Sequence, residues 1–452
     1  MNNQYKILLF LSIFSILFSL VFSSIYQYPI TGDASTYYAY GVNLYKGNGY
    51  SWQEFPPFAQ SNLREPCYPL FIYGLFKIFG ASKIIIQISQ AILNGFIVVI
   101  TYMLANLIFV NKNIALIAAL LTALSPAIAG YSALISSEIL ATFFLMLALL
   151  FFILFLKDEK GKNTIFSIAF IGFLCGCLVL TKMMYFLFPF LICFTLFAAQ
   201  GHRFLKFRRA FFMWLIFISV LLPWLLFNNK IYGNPFFFTN RGGIGVTIKA
   251  ERLSWTSKEM LVAFIYPASE GLVQKYFPHE YKKVAYNLID GSVFKAAFDR
   301  YGSLISQGYS EISADKQMRF EALNKIKRNP LKYIISSISD FHYMLYFEGL
   351  PLSQFTDFFK RRTRMAINAF FKIYSLIIIF FATKGIFSMM WHKENRPFKV
   401  ALLLTVSYTF FMYSAIFGAP RFTFTIIPLI YILAASSICS TLFKPTQANT
   451  FS

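Results

Sequence analysis

The sequence predicts an all-α polytopic membrane protein: a bundle of about ten transmembrane helices (nine to thirteen), an outer-face loop and a small mixed extracytoplasmic domain. Three observations support this. The chain of 452 residues is 57% apolar and only 13% charged, with a mean hydropathy of +0.59, whereas soluble domains carry about 25% charged residues. Ten segments, roughly 7–25, 84–109, 114–131, 137–156, 164–182, 183–200, 210–228, 366–383, 400–417 and 422–442, approach the ~20 apolar residues that cross ~30 Å of hydrocarbon. Their short connections sort by charge.

The first apolar run, Ile7–Ser24, follows Lys6 and lacks a small-residue cleavage site, so it reads as a retained first span rather than a removed signal peptide. With the N-terminus inside, nearly every short basic loop falls on the cytoplasmic side: Lys6, "NKN" near 112, "KDEKGK" at 157–162, "HRFLKFRR" at 202–209, "KGIFSMMWHKENRPFK" at 384–399, and Lys444. This is the pattern of a cytoplasmic membrane protein with both termini inside. Residues 26–83 and 229–365 then lie outside. The second segment holds 20 Lys plus Arg and 12 Asp plus Glu, which is tolerable because long loops translocate largely regardless of charge. The chain therefore divides into a membrane module at 1–228 with the 26–83 loop, an outer domain at 229–365, and terminal spans at 366–452. Within the outer domain, 331–347 reads either as an extra span or as an amphipathic helix on the outer membrane face. Asp340, His342 and Lys332 favour the surface helix.

A net charge of +22 does not point to nucleic acid, since the bases flank apolar runs; contact with anionic lipid headgroups fits better. The five cysteines (Cys67, Cys175, Cys177, Cys193, Cys439) lack metal or CxxC spacing and read as small core hydrophobes.

Of 19 acidic residues, 12 lie in the outer domain and Asp158, Glu159 and Glu394 face the cytoplasm. The remaining four, Asp33, Glu54, Glu65 and Glu138, all fall on the outer side. Carboxylates near apolar helices at a membrane surface are candidates for acid–base work. Glu54 and Glu65 read as solvated or paired with Lys46 and Arg64. Asp33 stands on a Gly-Asp turn before "STYYAYGVNLYKG", where Tyr37, Tyr40 and Leu44 recur at helical spacing. There it would serve as a helix cap, as a reactive carboxylate, or both. Glu138 opens a span, where an acid suits the dipole, and Lys182 ends one, where it would snorkel or hold a phosphate. Trp224 fits an interfacial belt. In "NPFFFTNRGGIG", Gly242-Gly243 permits close backbone approach to a ligand, or a turn. Arg421, in "FGAPRFTF", would anchor at headgroups or clamp a phosphate with its forked donors; the clamp is preferred.

These phrases also occur in a telling order. An acid follows the first span and R-x-P-x-Y-P-L-F (Arg64 to Phe71) precedes the second. S-x-E (Ser136 to Glu138) opens the fourth, and G-x-x-x-G-x-x-x-L-T-K runs from Gly172 to Lys182. P-W-x-x-x-N (Pro223 to Asn228), G-x-P and N-x-G-G (Asn240 to Gly243) follow, then "ALNKIKRNPLKYI" and a final Pro420-Arg421-Phe422. From about residue 5 to 440 the chain closely resembles the GT-C membrane glycosyltransferases of the protein O-mannosyltransferase and aminoarabinose lipid A transferase type, of glycosyltransferase family 39 or 83.

The resemblance implies transfer of a sugar from a polyprenyl-phosphate donor to a lipid A, glycan or protein acceptor on the outer face of the membrane. It implies that Asp33 is the catalytic base and that Glu138 is a supporting or acceptor residue. Arg64, Lys182 and Arg421 would contact the donor phosphate or its surroundings, with Tyr68, Asn240 and Gly243 in the substrate site. Many relatives carry a second acid after the first, where this chain has Ala34. One carboxylate on one face predicts inversion, since a retaining enzyme needs a second about 5 Å away. With four histidines and no metal-ligand spacing, no cofactor is expected, a single bridging ion being the exception left open. A flippase would show repeats and midplane charges. A ligase-like polymerase would use arginine and histidine of a large outer loop, here His279 or His342.

Overall fold

The computed structural model describes residues 3–25, 30–157, 164–198, 203–239, 242–289, 292–347, 361–391 and 395–442. Every regular element among them is a helix. Seven are long and apolar enough to cross a membrane: Asn3–Ile25, Lys83–Phe109, Glu138–Lys157, Leu205–Tyr232, Ala366–Met390, Arg396–Ile416 and Pro420–Leu442. The pair Lys112–Leu124 and Pro126–Ala133, bent by 46°, makes an eighth if taken as one span. The protein is a multi-pass membrane protein. The segments expected at 164–182 and 183–200 are the shorter apolar helices Ile165–Thr181 and Met183–Ala198.

Local chemistry explains these boundaries. The Asn111 side chain accepts from the N–H groups of Asn113 and Ile114, capping the helix that follows. Ser125 ends that helix, caps the next through Ile128 N–H, and precedes Pro126, whose missing N–H suits a first turn. The Gly172 and Gly176 pair of the sequence phrase is a packing device. A Cβ on Gly172 would strike the Met213 carbonyl oxygen, and one on Gly176 the Val220 side chain, so only glycine lets Thr164–Thr181 lie this close to Arg203–Tyr232. The last span is the centre of the bundle, with 89% of its apolar window buried.

The described part of 229–365, expected as mixed, is helical, and it has its own core of Ile244, Ile248, Val262, Val273 and Met318. The 331–347 stretch forms Pro330–Met344, whose 15 residues fall short of a span. Its outward stripe is apolar (Leu331, Ile334, Ile335, Ile338, Phe341), while Asp340 is buried on the other face. There Asp340 accepts from Lys249 Nζ at 2.7 Å and from Arg252, and Lys249 also donates to the Ser414 carbonyl at 3.0 Å. This buried triad ties the 242–347 helices to the Ile416 end of the Arg396–Ile416 span.

Candidate active site

The first loop is built to present one carboxylate. Gly32 adopts φ +58° and ψ −125° just before the helix Asp33–Lys46, a backbone turn that glycine makes most readily. Gly32 takes the cap position and Asp33 becomes the first helical residue, with no side-chain cap bond. The Asp33 carboxylate therefore turns sideways instead of back onto its own helix. The inner face of that helix buries Tyr37 and Tyr40.

Behind it the loop is fastened at several points. Tyr40 Oη donates to the Ser61 carbonyl, Tyr50 Oη to the Arg64 carbonyl at 2.9 Å, and Asn62 Nδ2 to the Phe237 carbonyl and to Asn228 Oδ1. Trp224, expected in an interfacial belt, is instead buried with its ring edge-on to Tyr50 at 5.3 Å. Trp224 and Asn228 of the P-W-x-x-x-N phrase thus support the loop from below.

Two guanidinium groups hold Asp33. Arg64 Nη2 lies 2.5 Å from Oδ1, and Arg421 Nη1 lies 3.2 Å from Oδ2. They differ in burial: the Arg64 side chain is 7% exposed and that of Arg421 42%. Arg64 also donates through Nε to Thr36 Oγ1 at 2.9 Å and sits 4.6 Å over the Tyr37 ring. Burial disfavours its charge, but the neighbouring Tyr37 and Asp33 outweigh that and raise its pKa, so the group is a fixed cation. Arg64 therefore lies beneath Asp33 as a support, while Arg421, stacked 4.8 Å from the Phe422 ring, is open.

A second ion pair stands nearby. Lys182 Nζ is 3.0 Å from Glu138 Oε1, with side-chain exposures of 13% and 9%. Glu138 opens the Glu138–Lys157 span, and Lys182 follows the Thr164–Thr181 helix. The two pairs are bridged by Tyr37, whose ring carries Arg64 and whose hydroxyl donates to Ser137 Oγ at 3.2 Å, next to Glu138. Arg421 lies within electrostatic reach of both carboxylates.

The structure thus brings Asp33, Arg64, Glu138, Lys182 and Arg421 into one cluster. Tyr68 is fully buried, bonded to Gln90 Oε1 at 2.7 Å, with its ring edge-on to Tyr37 at 4.9 Å; it reaches the cluster through Tyr37. Gly243 is held in the outer domain, where its N–H donates to Asp315 Oδ1 at 2.6 Å. Asn240 lies outside the described residues. Sequence reasoning missed Tyr37 and Thr36 as supports of Arg64; their place one helical turn after Asp33 was the available signal.

The family model for dolichyl-phosphate-mannose-protein mannosyltransferase matches residues 64–227, a range that includes Arg64, Tyr68, Glu138 and Lys182. Among solved structures, the Archaeoglobus fulgidus oligosaccharyltransferase in complex with Zn and sulfate superposes with a TM-score of 0.55 at 17% identity, covering 97% of this chain and 49% of that one. The chain has the GT-C fold. A second structure of this GT-C type, archaeal oligosaccharyltransferase AglB from Archaeoglobus fulgidus with an inhibitory peptide and a dolichol-phosphate, gives 0.54 at 14% identity, covering 98% and 50%. ArnT from Cupriavidus metallidurans bound to undecaprenyl phosphate gives 0.41 at 11% identity, covering 97% and 80%. The chain spans about half the length of the archaeal enzymes it matches. Comparison with curated proteins by sequence finds no match.

Proposed function

We propose that the protein is a glycosyltransferase that moves a sugar from a polyprenyl-phosphate carrier to an acceptor on the outer face of the cytoplasmic membrane. The observation that carries this reading is a half-exposed carboxylate, Asp33, held from below by a buried arginine and faced by an open one. The mannosyltransferase model over residues 64–227 supports the reaction class, and the GT-C fold supports the membrane setting. The dolichol-phosphate in the archaeal neighbour supports the class of carrier.

An acceptor hydroxyl or amine forms a bond to the anomeric carbon while the bond from that carbon to the phosphate oxygen breaks. Asp33 takes the acceptor's proton, as a general base within hydrogen-bond reach does. The bonding pair leaves on the phosphate, and fixed cations stabilise that charge without reorganising. Arg421 is the open cation, and Lys182 lies one ion pair further in. Arg64 is reassigned within this proposal: its burial suits it to aim Asp33 rather than to touch phosphate. Attack opposite the leaving phosphate inverts the anomeric carbon.

The deciding experiment is Asp33→Asn, which keeps the shape and removes the charge. Sugar transfer in membranes should be lost while expression and binding of the polyprenyl-phosphate are kept. Full activity in this variant would overturn the assignment.

A further inference from the structure

The Lys249–Arg252–Asp340 triad brings two cations to one carboxylate, and none of the three side chains is more than 5% exposed. Asp340 gives one oxygen to each cation, Oδ2 to Lys249 and Oδ1 to Arg252. One positive charge is left over whenever Lys249 is protonated. Arg252 cannot turn to solvent to settle it. Its Cζ lies 4.6 Å from the Phe417 ring and 5.8 Å from that of Trp255. Among the described residues its buried Nε has no hydrogen-bond partner. A buried surplus charge and a buried donor without an acceptor are both costly.

A cavity of about 20 Å³ adjoins this guanidinium, lined by Arg252, Trp255, Ser336, Ser339, Asp340 and Tyr343. That volume suits a single ligand of about the size of a water molecule. Ser336, Ser339 and Tyr343 fall on one face of the helix Pro330–Met344, and each carries a hydroxyl able to donate. Lys332 Nζ, donating to the Leu253 and Trp255 carbonyls at 3.2 and 3.0 Å, adds a further cation beside Trp255.

We propose that this cavity binds a small monovalent anion of the chloride class, held by the surplus charge of the triad, by Arg252 Nε and by the three hydroxyls. The anion neutralises the site and supplies the acceptor that Arg252 lacks. It thereby strengthens the seam between the helices Gly242–Glu251 and Pro330–Met344, which the triad joins. Sulfate and phosphate, with four oxygens around the central atom, are too large for the space. The site lies beyond the sugar-transfer reading and stands without it.

The test uses the full-length protein in detergent at pH 7, below the Lys249 pKa of about 8, with sodium chloride exchanged for sodium gluconate at constant ionic strength. Amide hydrogen exchange of residues 242–251 and 330–344 is the readout. Chloride at about 100 mM should slow exchange about tenfold relative to gluconate, as a Kd of about 10 mM requires, and bromide should act likewise. Lys249→Met leaves a neutral Arg252–Asp340 pair and should abolish the difference. Ser336→Ala with Ser339→Ala keeps the triad and should remove most of it. Equal exchange in chloride and gluconate would overturn the proposal and leave the cavity to water. Equal slowing by sulfate, or a chloride effect surviving in full in either variant, would also overturn it, since each marks a general salt effect.

Discussion

Arg421 and Asp33, 388 positions apart in the chain, meet at 3.2 Å between Nη1 and Oδ2. One comes from the turn after the first span and the other from the mouth of the last. Closing this pair closes the bundle, and with both side chains about two-fifths exposed it is also the part of the cluster most open to a ligand. Replacing Arg421 with alanine should lower transfer about 100-fold, the usual cost of one transition-state donor. Lysine should restore part of it, since it keeps the charge and loses the fork. Steady-state kinetics with varied carrier concentration checks this.

Arg64 calls for a different outcome. Its contacts are with Asp33, Thr36 and the Tyr37 ring, so Arg64→Ala should misplace Asp33. The expected loss is about 100-fold in turnover, as for small displacements of a reacting group, with carrier affinity little changed. If carrier affinity falls instead, Arg64 touches the phosphate after all.

Glu138→Gln should destabilise the fold by about 3 kcal/mol, because it leaves a nearly buried Lys182 ammonium without its counter-charge. Adding Lys182→Met should recover much of the loss, since removing both partners of a buried pair costs less than removing one. Thermal unfolding in detergent of the two single variants and the double variant measures this coupling.

The triad at Lys249 predicts a pH dependence. Burial, reinforced by the Arg252 charge and only partly offset by Asp340, lowers the Lys249 pKa to about 8. One carboxylate serves two cations, so the site carries a surplus positive charge when Lys249 is protonated. The folded state therefore binds fewer protons than the unfolded chain between about pH 8 and the ordinary lysine value near 10.4. Outer-domain stability should rise through that window and flatten above it. Lys249→Met should abolish the rise, as followed by hydrogen exchange of residues 242–251 against pH.

Much of this was legible in the sequence. The spans follow from hydropathy, and the sidedness of basic loops put Asp33, Lys182 and Arg421 together before any coordinates. What remained hidden was who holds whom. Alternation and spacing place Arg64 and Arg421 near the same mouth, but only packing around Tyr37 decides that one is buried and the other open. The Lys249–Arg252–Asp340 triad was also invisible. A lone Asp in an apolar stretch suggests a polar outer face, whereas the helix Pro330–Met344 turns its acid inward and its aliphatic side chains out. Its neighbours supply cations from 88 and 91 residues away, a separation no local pattern reports. Gly172 and Gly176, by contrast, stand in a sequence phrase, and the structure gives them a steric meaning.

The inward-facing helix has one more effect. Tyr333 donates to the Ala415 carbonyl, Gly418 lies against the Asp340 backbone, and Thr423 donates to the Met344 carbonyl. These three fastenings straddle Arg421. Tilting the helical lobe that carries Pro330–Met344 must therefore drag the guanidinium along, as a rudder follows its tiller. A molecule seated far out on that lobe would shift Arg421 relative to Asp33 without approaching either.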